Sequence, residues 1–169
     1  VSFIIALLQN QITMPTPFQF KIQNHWDLES AQTEKQSGGS LKTHQVFLEH
    51  GKEIQVSAAK PFKGDATKYN PEELLMAAFS SCHFMSYMYV CQQAGITLLK
   101  YEDKVEGSLT LNPDGSGAFT KMVLQPKVWI DHASQKIQAE DLHKQASKLC
   151  FIANSCAFPI EYKVEVLVT

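Results

Sequence analysis

Between Leu74 and Gln93 the chain carries no Lys, Asp or Glu, and apolar residues fall on every side of a helical projection rather than along one stripe. The pattern predicts an α-helix over Pro71–Ala94, about 36 Å long. Asn70 can cap it, Pro71 suits its first position, and Glu72 and Glu73 sit at the positive end of its dipole. Gly95 supplies a left-handed stop. A helix that is apolar all round is expected to be buried all round. A chain of 169 residues has few elements with which to wall it in, so a partner subunit is expected. About 20 apolar residues would also cross a bilayer. The serines, His83 and the acidic mouth argue against that, as does the lack of a close Lys or Arg flank.

Before this helix, Phe18, Phe20, Ile22 and Trp26 alternate with polar residues as in a half-buried strand. Residues 27–41 are polar, contain Ser37-Gly38-Gly39-Ser40 and read as a loop. Val46 and Leu48, then Ile54 and Val56, flank His50-Gly51 as in a hairpin. A lysine-bearing loop, 58–69, follows. After Gly95, Val105–Leu111 and Phe119–Ile130 enclose the turn signal Asn112–Gly117. Met122, Leu124, Val128 and Ile130 share one face, and Pro126 marks an edge or bulge. Residues 137–153 predict a second helix with Leu142, Ala146, Leu149 and Ala153 as its stripe and Cys150 near its end. Tyr162, Val164, Val166 and Val168 alternate in a last strand. The order β-β-β-α-β-β-α-β is α+β. Residues 18–169 are read as a single domain and 1–17 as an N-terminal extension, with Met14 a candidate natural start and no basic region to make a signal peptide.

Composition changes this picture in three ways. A net charge of −2 offers nothing to nucleic acid or an anionic membrane. The cysteines Cys82, Cys91, Cys150 and Cys156 form no CxxC pair or dense framework, which reads as a cytoplasmic thiol set. All 15 basic residues are lysines, so no guanidinium is available anywhere.

Chemistry centres on Cys82. A cysteine is a nucleophile only as its thiolate. Cys82 sits mid-helix, too far from its own helix's N-terminus to be helped by the dipole, and would need an imported cation or donor. Most free cysteines are small buried hydrophobes, and Cys91 and Cys156 fit that description better still. His83 points about 100° away from Cys82 around the helix, which disfavours a dyad within one helix. A metal site drawn from Cys82, His83, Cys91, His143, Cys150 and Cys156 matches no zinc spacing.

The residues N-P-E-E-L-L-x-A-A-x-S-S-C-H at 70–83 and A-x-x-L-C-F-I-A-N-S at 146–155 resemble the OsmC/Ohr family of thiol-dependent hydroperoxide reductases. The resemblance runs over nearly all the chain from about Phe18, and the C-H and C-F-I-A-N forms look closest to its less characterised OsmC-like branch. It implies an OsmC-like fold in an intertwined homodimer and no cofactor. Cys82 would be the peroxidatic thiolate, which becomes a sulfenic acid, and Cys150 the resolving thiol, which closes a disulfide with it. A dithiol reductant, dihydrolipoamide-like or thioredoxin-like, would reset the pair. Glu72 would match the family's site glutamate.

Glu72 and Cys82 are 10 residues apart, about 15 Å along one helix axis, so they do not touch within a subunit. Two such helices crossing antiparallel near Ala77 and Ala78 would bring each Glu72 to the partner's cysteine. The family's arginine, which pairs with the glutamate and stabilises the thiolate, has no counterpart. Lys42 is the closest placement and Lys63 the alternative, neither with the planar fork of a guanidinium. Phe79, Phe84, Met85, Met88 and Tyr89 would line an apolar pocket suited to organic hydroperoxides, although core packing explains such residues equally well. A dimer that binds an apolar small molecule with little turnover is the rival function, supported by the missing arginine.

Overall fold

The computed structural model describes residues 17–169, so the proposed extension, apart from Pro17, lies outside the described residues. The chain forms β1 (Ile22–His25), α1 (Leu28–Gln36), β2 (His44–Leu48), β3 (Glu53–Val56) and α2 (Pro71–Gln93). It continues as β4 (Leu98–Glu102), β5 (Val105–Leu111), β6 (Gly117–Leu124) and β7 (Lys127–Ile130). Then come α3 (Lys136–Leu149), α4 (Phe151–Asn154), β8 (Ile160–Tyr162) and β9 (Glu165–Val168). Three three-stranded sheets result, ordered β1-β2-β3, β4-β7-β9 and β5-β6-β8. The class is α+β, as the pattern predicts.

Where the structure departs from the pattern, local chemistry explains it. Residues 28–36 are helical rather than loop, because Asp27 Oδ1 accepts from the Ser30 amide at 2.8 Å and caps the helix. Only Ala31 of α1 is buried, so the helix has no apolar stripe to betray it. The first strand starts at Ile22, and Phe18 and Phe20 before it are exposed. Pro126 divides the long second-hairpin strand into β6 and β7, which join different sheets. The last strand divides with it, β8 pairing parallel to β6 and β9 parallel to β7.

The central helix begins at its cap, where Asn70 Oδ1 accepts from the Glu73 amide at 2.8 Å. It ends before Gly95, whose φ of +68° is the left-handed stop. Tyr87, Val90 and Cys91 pack on Val128 and Ile130 of β7, Val166 of β9 and the Ala139–Leu142–Ala146 face of α3. Phe79 packs on Met122 and Leu124 of β6. Each such large side chain contributes about 1.5–3 kcal/mol through burial.

Burial all round does not hold within one chain. The other elements cover one side only, and Ala77, Ser81, Met85, Met88 and Tyr89 form an exposed stripe at helical spacing. By length and composition α2 could cross a membrane, yet Phe79, His83, Tyr87, Val90 and Cys91 are enclosed by strands and α3, as in a core helix.

Candidate active site

Three elements place the two cysteines of interest. Cys82 lies mid-helix on the covered side of α2, about three turns from its N-terminus. Cys150 sits where helix 137–153, expected to be continuous, breaks: its φ/ψ of −74°/104° ends α3 and opens α4. Its sulfur accepts from the Ala153 amide at 3.4 Å and so acts as the α4 cap. The Cys82 side chain is a neighbour of Cys150, close enough to perturb its thiol. Both are free thiols. Burial pushes the Cys150 thiol up to about 11, and the neighbouring Cys82 adds to the rise, while the amides of Ala153 and Ile152 oppose it.

Above Cys82 opens a cleft of about 360 Å³, lined by Cys82, Met85, Ser86, Tyr89, Leu149 and Phe151. Its walls are largely apolar, and Phe151 is 79% exposed. Leu149, assigned to the core stripe of the second helix, instead lines this opening because the chain breaks at the next residue. Of the three side chains expected to bind substrate, Met85 is in the cleft. Phe79 points inward, its ring 5.6 Å from that of Phe158. Phe84 lies over Tyr101, with centroids 4.7 Å apart, beside a separate groove formed with Ala77, Ser80, Ser81 and Asp103. Helical geometry separates them: Phe84 projects about 160° from Cys82 around the helix, and Phe79, about 60° away, turns into the core.

Under the thiols lies a buried polar cluster. His83 Nε2 and His143 Nδ1 are 3.0 Å apart and joined by a hydrogen bond. Tyr87 stacks on His143 at 3.7 Å, and Tyr162 lies 4.6 Å from His83. Burial drives both imidazoles down, His83 to about 4 and His143 to about 3, with the neighbouring His83 adding to the effect on His143. The Tyr162 hydroxyl is enclosed without a hydrogen-bond partner, near Ser147 and both sulfurs. The polar–apolar pattern does not reveal this cluster: His143 reads as one polar residue on an amphipathic helix. Its one visible trace is that His143 precedes Cys150 by seven residues, two turns on the same face.

Sequence and fold point to the same relatives. The family described as OsmC-like protein matches residues 64–165. This chain belongs to the OsmC-like protein family. It is 27% identical over 118 residues to the uncharacterized protein YmaD of Bacillus subtilis strain 168, covering 67% of this chain and 77% of that one. Its fold is similar to an OsmC-like protein of unknown function from Vibrio cholerae, with a TM-score of 0.76, 25% identity, and 88% and 99% of the two chains covered. The organic hydroperoxide resistance protein OhrB of Bacillus subtilis matches at a TM-score of 0.61 and 16% identity, over 89% and 98% of the chains, a likeness of fold alone.

In this OsmC-like chain the remaining expected site residues lie apart from the sulfurs. Glu72 is half-buried in the first turn of α2, and its Oε2 is enclosed without a partner. Lys42 Nζ donates to the Phe62 carbonyl at 2.6 Å. Lys63 is exposed in a left-handed turn, φ +60°. Among the described residues no lysine ammonium is paired to Glu72 or to either thiol. Nor do they include a cluster of three or more His, Cys, Asp or Glu able to hold a metal ion.

Proposed function

We propose that this OsmC-like chain reduces organic hydroperoxides through Cys82 and Cys150. The supporting observation is two free, neighbouring thiols, Cys82 lining an apolar cleft and Cys150 buried between its wall residues Leu149 and Phe151. The hydroperoxide resistance names carried by proteins of the same fold agree with it.

The Cys82 thiolate attacks the outer peroxide oxygen. An S–O bond forms, the O–O bond breaks, and the alkoxide leaves and takes a proton to become the alcohol. Cys82 is then a sulfenic acid. The Cys150 thiolate attacks that sulfur, an S–S bond forms, the S–O bond breaks, and hydroxide leaves as water. The two sulfurs have together lost two electrons, which the peroxide has gained. A dithiol returns two electrons and two protons by exchange. Met85, Tyr89 and Phe151 contact the organic part of the substrate, which favours it over hydrogen peroxide.

A homodimer completes the site. The exposed stripe of α2 is apolar at Ala77, Met85, Met88 and Tyr89, and covering it stabilises association. Crossing of two α2 helices at Ala77 brings Glu72 of each chain to the other's cleft, where its unpartnered oxygen gains a donor.

Intact mass after one equivalent of cumene hydroperoxide tests the chemistry. Loss of two hydrogens per chain, absent in Cys150→Ser, is the expected result. The rival, a dimer that binds an apolar molecule without turnover, draws on the lack of any paired cation at Cys82 among the described residues and would leave the mass unchanged.

A further inference from the structure

The His83–His143 bond lies outside the chemistry described above, yet it joins the two helices that carry the thiols. His83 is the residue after Cys82 on α2, and His143 is two turns before Cys150 on α3. Both imidazoles are buried, and the 3.0 Å contact between them is the one side-chain to side-chain hydrogen bond between α2 and α3 among the described residues. Tyr87 of α2 reinforces it by stacking on His143 and donating to the Ala139 carbonyl of α3 at 3.1 Å. His83 Nδ1 and His143 Nε2, the outer nitrogens, are enclosed and have no partner. Two neutral imidazoles share one proton at their junction, so one outer nitrogen carries an unbonded N–H and the other a bare lone pair. Leaving such atoms unpaired in the interior is costly, and an apolar pair would pack there without that cost.

We propose that His83 and His143 are positioning residues for disulfide closure, fixing the register of α2 on α3 so that the neighbouring Cys82 and Cys150 sulfurs can come within bonding reach. This rests on the peroxide chemistry proposed above. Disulfide geometry is narrow, with Cα atoms about 4.4–6.8 Å apart and a restricted dihedral. Cys150 occupies a helix break, where φ/ψ alone do not hold it against α2. A directional bond one residue from Cys82 removes the sliding freedom that packing of alanine and leucine leaves. The bond bears on closure of the disulfide and not on the first attack, because only closure needs both helices.

The atoms used in the bond allow a test that separates position from bulk. The amide of Gln reaches where His Nε2 lies, and that of Asn where His Nδ1 lies. His83→Gln and His143→Asn therefore keep the bonding atom in place, whereas His83→Asn and His143→Gln displace it. Sulfenic acid formation is followed by dimedone trapping and closure by quenched intact mass, both with cumene hydroperoxide. The displaced variants are expected to slow closure by about tenfold to a hundredfold, with sulfenylation within about twofold of wild type. The in-place variants are expected to recover most of the closure rate. Closure that is unchanged in all four, or that follows melting temperature rather than amide position, overturns the inference. Should the variants not fold, ¹⁵N imidazole spectra of the wild type in its dithiol and disulfide states decide it. Shifts at both histidines on oxidation support the link, and identical spectra overturn it. Failure of the wild type to lose two hydrogens at all removes the peroxide chemistry itself and this inference with it; closure indifferent to the histidines removes the inference alone.

Discussion

Lys42 Nζ donates to the Phe62 carbonyl at 2.6 Å, and two residues earlier the Ser40 hydroxyl donates to the Lys63 carbonyl at 3.1 Å. Together they tie the approach to β2 to the loop before α2. Within one chain both lysine segments thus serve loop closure and not the thiols.

Lys42→Met is therefore expected to destabilise by about 1 kcal/mol, the worth of one hydrogen bond, seen as a lower urea midpoint. The rate of Cys82 sulfenylation is expected to stay within about twofold of wild type. A loss of tenfold or more would return Lys42 to the site as a cation reaching the partner's thiolate.

The position of the Cys150 thiol sets a pH profile. Only the thiolate attacks the sulfenic acid, and at about 11 this group is thiolate in a fraction on the order of 10⁻⁴ at neutral pH. Raising pH by one unit multiplies that fraction by about ten until the pKa is approached. Closure is thus expected to rise with unit slope in a logarithmic plot between about pH 7 and 10. Quenched mass spectra across that range measure it. A flat closure profile would mean that a base takes the Cys150 proton during attack.

The histidine pair makes the fold acid-sensitive over a defined window. Both imidazoles have folded pKa values, about 4 for His83 and about 3 for His143, below the ordinary 6.5. The unfolded chain therefore binds protons first as pH falls, and stability is lost from about 6.5 downward until the folded values are reached. The rings facing the pair, Tyr87 on α2 and Tyr162 on β8, have raised pKa values through burial and stay neutral throughout. The slope is about 1.4 kcal/mol per pH unit for each histidine. Urea midpoints measured from pH 7 to 4 are expected to fall, and a His83→Phe, His143→Leu double variant to flatten the curve. Equal slopes in the two proteins would assign the acid sensitivity to carboxylates.

The central helix was legible residue by residue because its signals are local: a cap at Asn70, a stop at Gly95 and no charge between. The Met122, Leu124, Val128 and Ile130 face was legible too, since alternation reports burial directly. α1 was not, because its stability comes from the Asp27 cap and it buries a single alanine. At the site, motif spacing singled out Cys82 and Cys150. The break at Cys150, which turns Leu149 and Phe151 into cleft walls, is a tertiary effect with no glycine or proline to announce it. His143 stood beside His83 only in a candidate metal set, because a hydrogen bond across 60 positions leaves no local signal.

The dimer proposal carries a prediction that tests site and assembly together. Glu72 is five residues before Ala77 and Cys82 five after it, so an antiparallel crossing at Ala77 superposes one on the other. The exposed Ala77 and Ser81 allow the two backbones to approach closely there. Ala77→Glu places two like charges in contact at that crossing and is expected to give monomers by sedimentation, with peroxide turnover lost. Co-expressed Glu72→Gln and Cys82→Ser subunits, each inactive as homodimers, are expected to form a heterodimer with one site intact, at about half the wild-type activity per dimer. That recovery distinguishes a shared site from one built within a single chain. In the second case each heterodimer would hold two defective sites, and its activity would not exceed that of the parent homodimers.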